Sequence, residues 1–255
     1  MNKSTGSLTL RDYFNIASTQ FASILGPGVA SGATVLAIFA SRGWHASWLT
    51  FFGVGLSFVG YYFAMEYARL HQLRNYADVY KGLYGKLYRV ATPFMDFAVA
   101  YAVFVGMAIV TAQFGSLMME WGIPFFVGVA ILWGFSLLGA IFGTDLFRKI
   151  QGVLSLILLT LTLVINVACI INGINIFKEI MSTRWMPEGG TFANAVYWAF
   201  QYGFVQIQMV TVLIPNLDIV RKKSDIKKAL GVGYLMNMTL VGLQSIALLA
   251  FMPAV

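Results

Sequence analysis

Charge is distributed along this chain so that seven stretches contain almost none: residues 13–41, 46–68, 93–119, 123–144, 150–177, 192–217 and 229–253. About 20 apolar residues cross the hydrocarbon core of a bilayer as a helix, because inside lipid each backbone N–H and C=O must find its partner within the same segment. All seven stretches meet that length. With 59% hydrophobic and 11% charged residues and a mean hydropathy of +0.76, against roughly 25% charged in an ordinary soluble domain, the chain reads as an all-α polytopic membrane protein with seven transmembrane helices.

The first stretch is interrupted in its own middle. Ile24 to Thr34 reads Ile-Leu-Gly-Pro-Gly-Val-Ala-Ser-Gly-Ala-Thr. Proline lacks the N–H and clashes with the preceding turn, and each glycine weakens a helix by about 1 kcal/mol relative to alanine. The sequence therefore predicts a first membrane segment broken at mid-depth. Unwound backbone at that depth is tolerated only against protein or a water-filled cavity.

Lysine and arginine set the orientation. With seven crossings, one face of the membrane holds fourteen of the 17 cations and the other holds only Arg42, Lys178 and Arg184. The N-terminus is thus expected in the cytoplasm. The net charge of +7 is a topology signal and implies no nucleic-acid partner, because the cations lie in short loops beside the segments. The first apolar run is too long for a signal-peptide core. Tyr76, Val79, Tyr80, Leu83, Tyr84, Leu87 and Tyr88 recur at helical spacing among Lys81, Lys86 and Arg89, as in an amphipathic helix lying at the headgroups. The connection from Lys178 to Gly190 reads as a short polar outer loop, and that from Asp218 to Lys228 as a basic cytoplasmic one. Cys169 is the single cysteine, and His45 and His71 sit near segment ends without a cysteine or acidic cluster, so no metal ligand set is legible and no cofactor is implied.

The sixth stretch carries Asn194, Gln201, Tyr202, Gly203, Gln206, Gln208, Thr211 and Pro215-Asn216. Polar groups at membrane depth mark bundle interiors and solute paths. Tyr202, Gly203 and Gln206 match the depth of Gly26, Gly28, Ala30, Ser31 and Gly32, and two interrupted segments meeting at the midplane point to a secondary-transporter site. The competing reading is packing: glycines let helices approach closely, as Gly139 and Gly143 do in a Gly-x-x-x-Gly pair, and glutamines bond across helices. In the third stretch Gly106 and Gln113 are candidates for the same cavity, with Tyr101 nearer the cytoplasmic end. Asn166 is a candidate for an interhelical hydrogen bond. Glu66 and Arg69 are spaced to pair on one helix face. Asp96 opens the third stretch beside the basic loop, with an ion-pair or gating role.

Gly26-Pro27-Gly28-Val29-Ala30-Ser31-Gly32 resembles the Gly-Ala-Gly-Phe-Ala-Ser-Gly signature of the YkvI-type bacterial membrane proteins, of the amino acid–polyamine–organocation superfamily. Looser similarity runs through Asn75 to Lys86, Pro93 to Asp96 and Val212 to Pro215. The family signature continues Gln-Glu where this chain has Ala33-Thr34, so no charged site is carried over. The resemblance implies a LeuT-type fold: two inverted repeats of five helices, the first helix of each broken, with substrate between those two helices and lined also by the third and eighth. Residues 1–177 would be the first repeat and 192–255 the first two helices of a second, so the chain is expected to be a truncated single transmembrane domain lacking three helices.

On that resemblance the expected function is alternating-access transport of a small organic solute, an amino acid or related compound, across the bacterial cytoplasmic membrane, with sodium or a proton as the coupling ion. The alternative is a non-transporting seven-helix receptor or scaffold. No span holds the central lysine that retinal attachment needs. The phosphate-binding loop Gly-x-x-x-x-Gly-Lys-Ser/Thr, His-Glu-x-x-His and Gly-x-Ser-x-Gly are absent, so the chain is not expected to be an enzyme. Oligomeric state is not legible.

Overall fold

The computed structural model describes residues 8–142, 144–218, 220 and 222–252. Gly143, and with it the Gly139/Gly143 pair, lies outside them, as do Lys3 and Arg221. Every regular element among the described residues is helical: α1 (Leu10–Ile24), α2 (Pro27–Ala30), α3 (Ala33–Ile38), α4 (Ala46–Leu70), α5 (Tyr76–Tyr84), α6 (Tyr88–Glu120), α7 (Phe125–Phe142), α8 (Thr144–Thr183), α9 (Phe192–Ile207), α10 (Val210–Leu213) and α11 (Lys223–Leu249), with 3-10 turns at Ala40–His45, Gly85–Leu87 and Ile214–Asp218.

Among the described residues, four continuous stretches are long and apolar enough to cross a membrane: Ala40–Leu70, Tyr76–Glu120, Gly152–Thr183 and Lys223–Leu249. Phe125–Gly139 is a shorter apolar helix, and the first and sixth stretches of the sequence are each divided into pieces. Several boundaries move from their expected places. The third stretch starts as helix at Tyr88, ahead of Pro93, whose missing N–H leaves the Arg89 carbonyl without its helical partner. The seventh begins at Lys223, because the Asp225 carboxylate accepts from the Lys222 N–H (3.3 Å) and closes the first turn. Lys178 lies inside a helix rather than in a loop, since α8 runs to Thr183; at 40 residues it is about 60 Å long.

The chain divides into two compact units, the described parts of Met1–Val79 with Leu154–Val255, and Tyr80–Val153. In the second unit α6 packs against α7, and Gly115 and Gly128 admit close approach: a Cβ on Gly115 would meet the Phe125 ring at 2.6 Å, and one on Gly128 the Met118 side chain at 2.7 Å. Most other α6 side chains are exposed or half-buried. Lys81 lies over the Tyr88 ring at 5.6 Å.

The first unit holds the main core, organised on α11. α1 and α4 both pack on α11, and α9 packs on α4. Its long buried face, from Ile226 through Leu240 and Val241 to Leu249, replaces the single apolar stripe of a surface helix, as expected of a helix with neighbours on several sides. The tightest approaches use glycine. A Cβ on Gly233 of α11 would collide with the Gln20 carboxamide of α1, and one on Gly53 of α4 would meet the Ala199 carbonyl of α9 at 3.1 Å. Both glycines belong to a Gly-Val-Gly triplet, Gly53-Val54-Gly55 and Gly231-Val232-Gly233. At one end of this unit the Trp44 N–H donates to the Trp185 carbonyl (3.0 Å), Arg42 lies over Trp198 (5.0 Å) and Arg184 over Trp44 (5.7 Å). His45 is buried there among Trp44, Trp48 and Phe192, as a core residue more than an interfacial one.

Candidate functional site

The first interruption is built locally. The Thr9 and Asp12 capping box starts α1. The helix ends at Ile24, one residue before Leu25 turns to ψ 62°, because Pro27 cannot supply the N–H that a continuing helix needs. Gly26 lies between α1 and α2 with open space where a Cβ would stand. α2 lasts four residues, and Gly32 then takes the left-handed conformation (φ 82°) from which α3 starts without a side-chain cap. A side chain at that φ is strained by contact with the neighbouring carbonyl. Gly28 faces the Thr34 side chain so closely that a Cβ would collide with its hydroxyl. Ala30 and Ser31 are exposed, and the Ser31 hydroxyl makes two long bonds, donating to the Gly28 carbonyl (3.4 Å) and accepting from the Ala33 N–H (3.5 Å).

The second interruption has no glycine or proline at its joint. α9 starts on the Thr191 cap, which accepts from Asn194 N–H (3.2 Å), and ends at Ile207. Gln208-Met209 separates it from α10. A helix end releases carbonyls that need new partners. Here the Gln206 carbonyl takes the Met209 N–H (2.9 Å) and, from another helix, the buried Tyr61 hydroxyl of α4 (2.6 Å). The side chain of Ser23, one residue before the end of α1, lies beside the same hydroxyl.

The two interrupted segments meet crosswise. α1 packs against α10, and α3 against α9, so each half of one segment touches the opposite half of the other. Phe39, just beyond α3, lies edge-on to the Tyr202 ring at 5.1 Å. Tyr202 and Gln206 are buried. The Tyr202 hydroxyl lies near the Gln206 side chain without the geometry of a hydrogen bond. Gly203 faces α4, where a Cβ would meet Leu56 at 2.8 Å and the Gly53 carbonyl at 2.9 Å.

The structure thus brings together Gly26, Gly28, Ala30, Ser31, Gly32, Tyr202, Gly203 and Gln206 within one unit. Gly106, Gln113 and Asp96 belong to the second unit; Gln113 and Asp96 are exposed there, as is Tyr101, and Gly106 has open space around it. Gln201 turns away from the interior and donates to the Tyr197 hydroxyl (2.7 Å). Glu66 and Arg69 form a two-pronged pair, Nε to Oε2 and Nη2 to Oε1, both 2.8 Å. Asn166 is buried, but its amide nitrogen finds no acceptor among the described residues, so the interhelical bond expected of it is not formed through that atom. No three histidine, cysteine or acidic side chains gather among the described residues as a metal would require.

Three contributors escape the sequence pattern: Tyr61, Phe39 and Gln244. Gln244 of α11 stands beside Gly32, its Nε2 3.1 Å from where a Cβ would be. A single tyrosine among several in α4, or a glutamine in an apolar helix, carries no positional signal until the partner helix is known. The Gly-Val-Gly triplets carry Gly53, where α4 receives α9, and Gly233, where α11 receives α1. No protein-family model, curated protein or solved structure matches the chain.

Proposed function

We propose that this chain forms the membrane core of a secondary transporter that moves a small organic solute, an amino acid or a related compound, by alternating access. The observation that carries the reading is the crosswise meeting of two interrupted segments, α1–α3 and α9–α10, inside one packed unit. Interrupted segments at the bilayer midplane present backbone groups to a solute where continuous helices cannot. The backbone around Gly26, Gly28, Ala30, Ser31 and Gly32 would hold the solute's polar ends, and the Ser31 hydroxyl would add a hydrogen bond. Tyr202, Gly203 and Gln206 would close the facing side. Glu66 and Arg69 would serve as an ion-pair or gating group, and Asp96 would have such a role in the second unit.

The packing pattern supports a repeat of the kind the first-segment motif resembles. Exchanging the first stretch with the sixth, and the second with the seventh, converts α1 on α11 into α9 on α4. Both of these pairings occur, and the pair α4 and α11 maps onto itself. Seven crossings, a cytoplasmic N-terminus and a bacterial inner-membrane location follow from the cation distribution and the resemblance, and sodium or a proton would drive uptake.

Reconstitution tests the reading. Proteoliposomes containing the full chain are expected to accumulate at least one labelled amino acid from a panel under an inward sodium or proton gradient. Flat uptake across the panel under both gradients would favour the receptor or scaffold reading.

A further inference from the structure

The join between α5 and α6 in the second unit carries cations that the described protein does not neutralise. Arg69 pairs with Glu66, and Arg74 with Asp218. By contrast Lys81, Lys86 and Arg89 are exposed and form no ion pair among the described residues. No acidic residue lies between Asp78 and Asp96, so the run holds three positive charges and no negative one. The Lys81 ammonium lies over the Tyr88 ring at 5.6 Å, which ties the last turn of α5 to the start of α6. Gly85 bends the chain between them at φ 51°, so the three cations gather around one short turn. Beside them runs an exposed apolar stripe. Val79 and Tyr80, part of the pattern expected to face the headgroups, are buried. Leu83, Leu87, Val90 and Phe94 are instead 54%, 71%, 74% and 68% exposed. Leu87 is the N-cap of α6, so Leu87, Val90 and Phe94, at i, i+3 and i+7, share one side of that helix. The uncharged run between Asp96 and Glu120 is long enough by itself to cross a bilayer, yet the continuous stretch that holds it, Tyr76–Glu120, has 45 residues. With that run in the bilayer, the end ahead of Asp96 falls at the boundary, where apolar side chains meet acyl chains and cations meet headgroups.

We infer that the α5–α6 join is a binding surface for an anionic phospholipid, with Lys81, Lys86 and Arg89 meeting its phosphodiester and Leu83, Leu87, Val90 and Phe94 lying along its acyl chains. An interfacial helix by itself implies no preference among lipids. The preference comes from charge. A zwitterionic headgroup brings its own cation beside the phosphate, whereas an anionic one leaves a net negative charge for the three unneutralised cations. The acyl chains select a lipid over free phosphate, because a soluble phosphate covers none of the apolar stripe. The surface requires only that α6 lies in a membrane, so its failure would leave the transport reading untouched.

The test uses the full chain in a non-ionic detergent, with binding of single lipid molecules counted by native mass spectrometry. The first phosphatidylglycerol is expected to bind at least about fivefold more tightly than a phosphatidylcholine with the same chains, the effect of about one well-placed cation. Lys81→Gln, Lys86→Gln and Arg89→Gln together should bring the two lipids within about twofold of each other. Lys86→Gln with Arg89→Gln keeps the contact of Lys81 with Tyr88 and should fall between, which preserves the test if the triple variant folds poorly. Lys222→Gln, Lys227→Gln and Lys228→Gln together remove the same charge from exposed positions at the start of α11 and should leave the preference intact. Glycerol 1-phosphate, a headgroup without chains, should not displace the lipid. An equal loss in both triple variants would overturn the inference in favour of general attraction to a basic chain, and so would a wild type without preference. Displacement by glycerol 1-phosphate would overturn it in favour of a soluble phosphate ligand.

Discussion

The two interruptions reach the same outcome by different means. The first is made by residues that cannot continue a helix: Pro27 lacks the N–H, and Gly32 occupies a φ of 82° that other residues adopt only with strain. The second falls at Ile207-Gln208-Met209, residues that tolerate helix well, and is held by a bond from outside, the Tyr61 hydroxyl on the Gln206 carbonyl. One break is imposed by covalent structure. The other is imposed by a neighbour. A break of the first kind survives changes in its surroundings, whereas one of the second kind depends on a single helix–helix approach, that of α4 and α9.

Four substitutions and one control separate the two kinds. The largest effect is expected at Gly32. Gly32→Leu combines the left-handed backbone, which costs a branched side chain about 1–2 kcal/mol, with a collision against Gln244 and Leu248. Uptake in proteoliposomes should be abolished while membrane insertion is retained; unchanged uptake would detach the first interruption from transport. Next comes Gly203→Ala. Its Cβ would stand 2.9 Å from the Gly53 carbonyl and 2.8 Å from Leu56, and a backbone oxygen cannot move aside as a side-chain end can. Overpacking of this sort costs about 1–3 kcal/mol, read as a lower midpoint in thermal unfolding. Gly106→Ala, with nothing near its Cβ, is the control and should be neutral or slightly stabilising.

Tyr61→Phe is expected to cost about 0.5–1.5 kcal/mol, the net value of one buried hydrogen bond, because the Gln206 carbonyl keeps its bond to Met209 N–H. The sharper readout is hydrogen exchange: amides from 207 to 213 should exchange faster, with those from 33 to 38 unchanged. Uniform acceleration would mean the hydroxyl stabilises the unit at large and does not hold the break. The smallest effect is expected at Gly26→Ala. Space is open there and its φ is not positive, so alanine should stabilise by about 0.4–1 kcal/mol through the unfolded chain and leave the break in place, since Pro27 still lacks its N–H. Loss of the interruption, seen as protection of amides 25 to 31, would show that Gly26 and not Pro27 makes it.

The sequence alone determined the membrane-class composition, the all-helical class and the interruption at Gly26–Gly32. These follow from hydrophobicity summed over long windows and from the stereochemistry of proline and glycine, neither of which needs a partner. It also paired Glu66 with Arg69, because three residues along a helix place two side chains on the same face. Only the tertiary structure decided that the sixth stretch breaks at Gln208-Met209, that α1 and α4 share α11 as their common support, and that Gln244 stands at Gly32. Each of those depends on contacts between residues far apart in the chain. A hydrogen bond such as Tyr61 to Gln206 joins positions 145 residues apart, and neither residue's local sequence shows that the other is near.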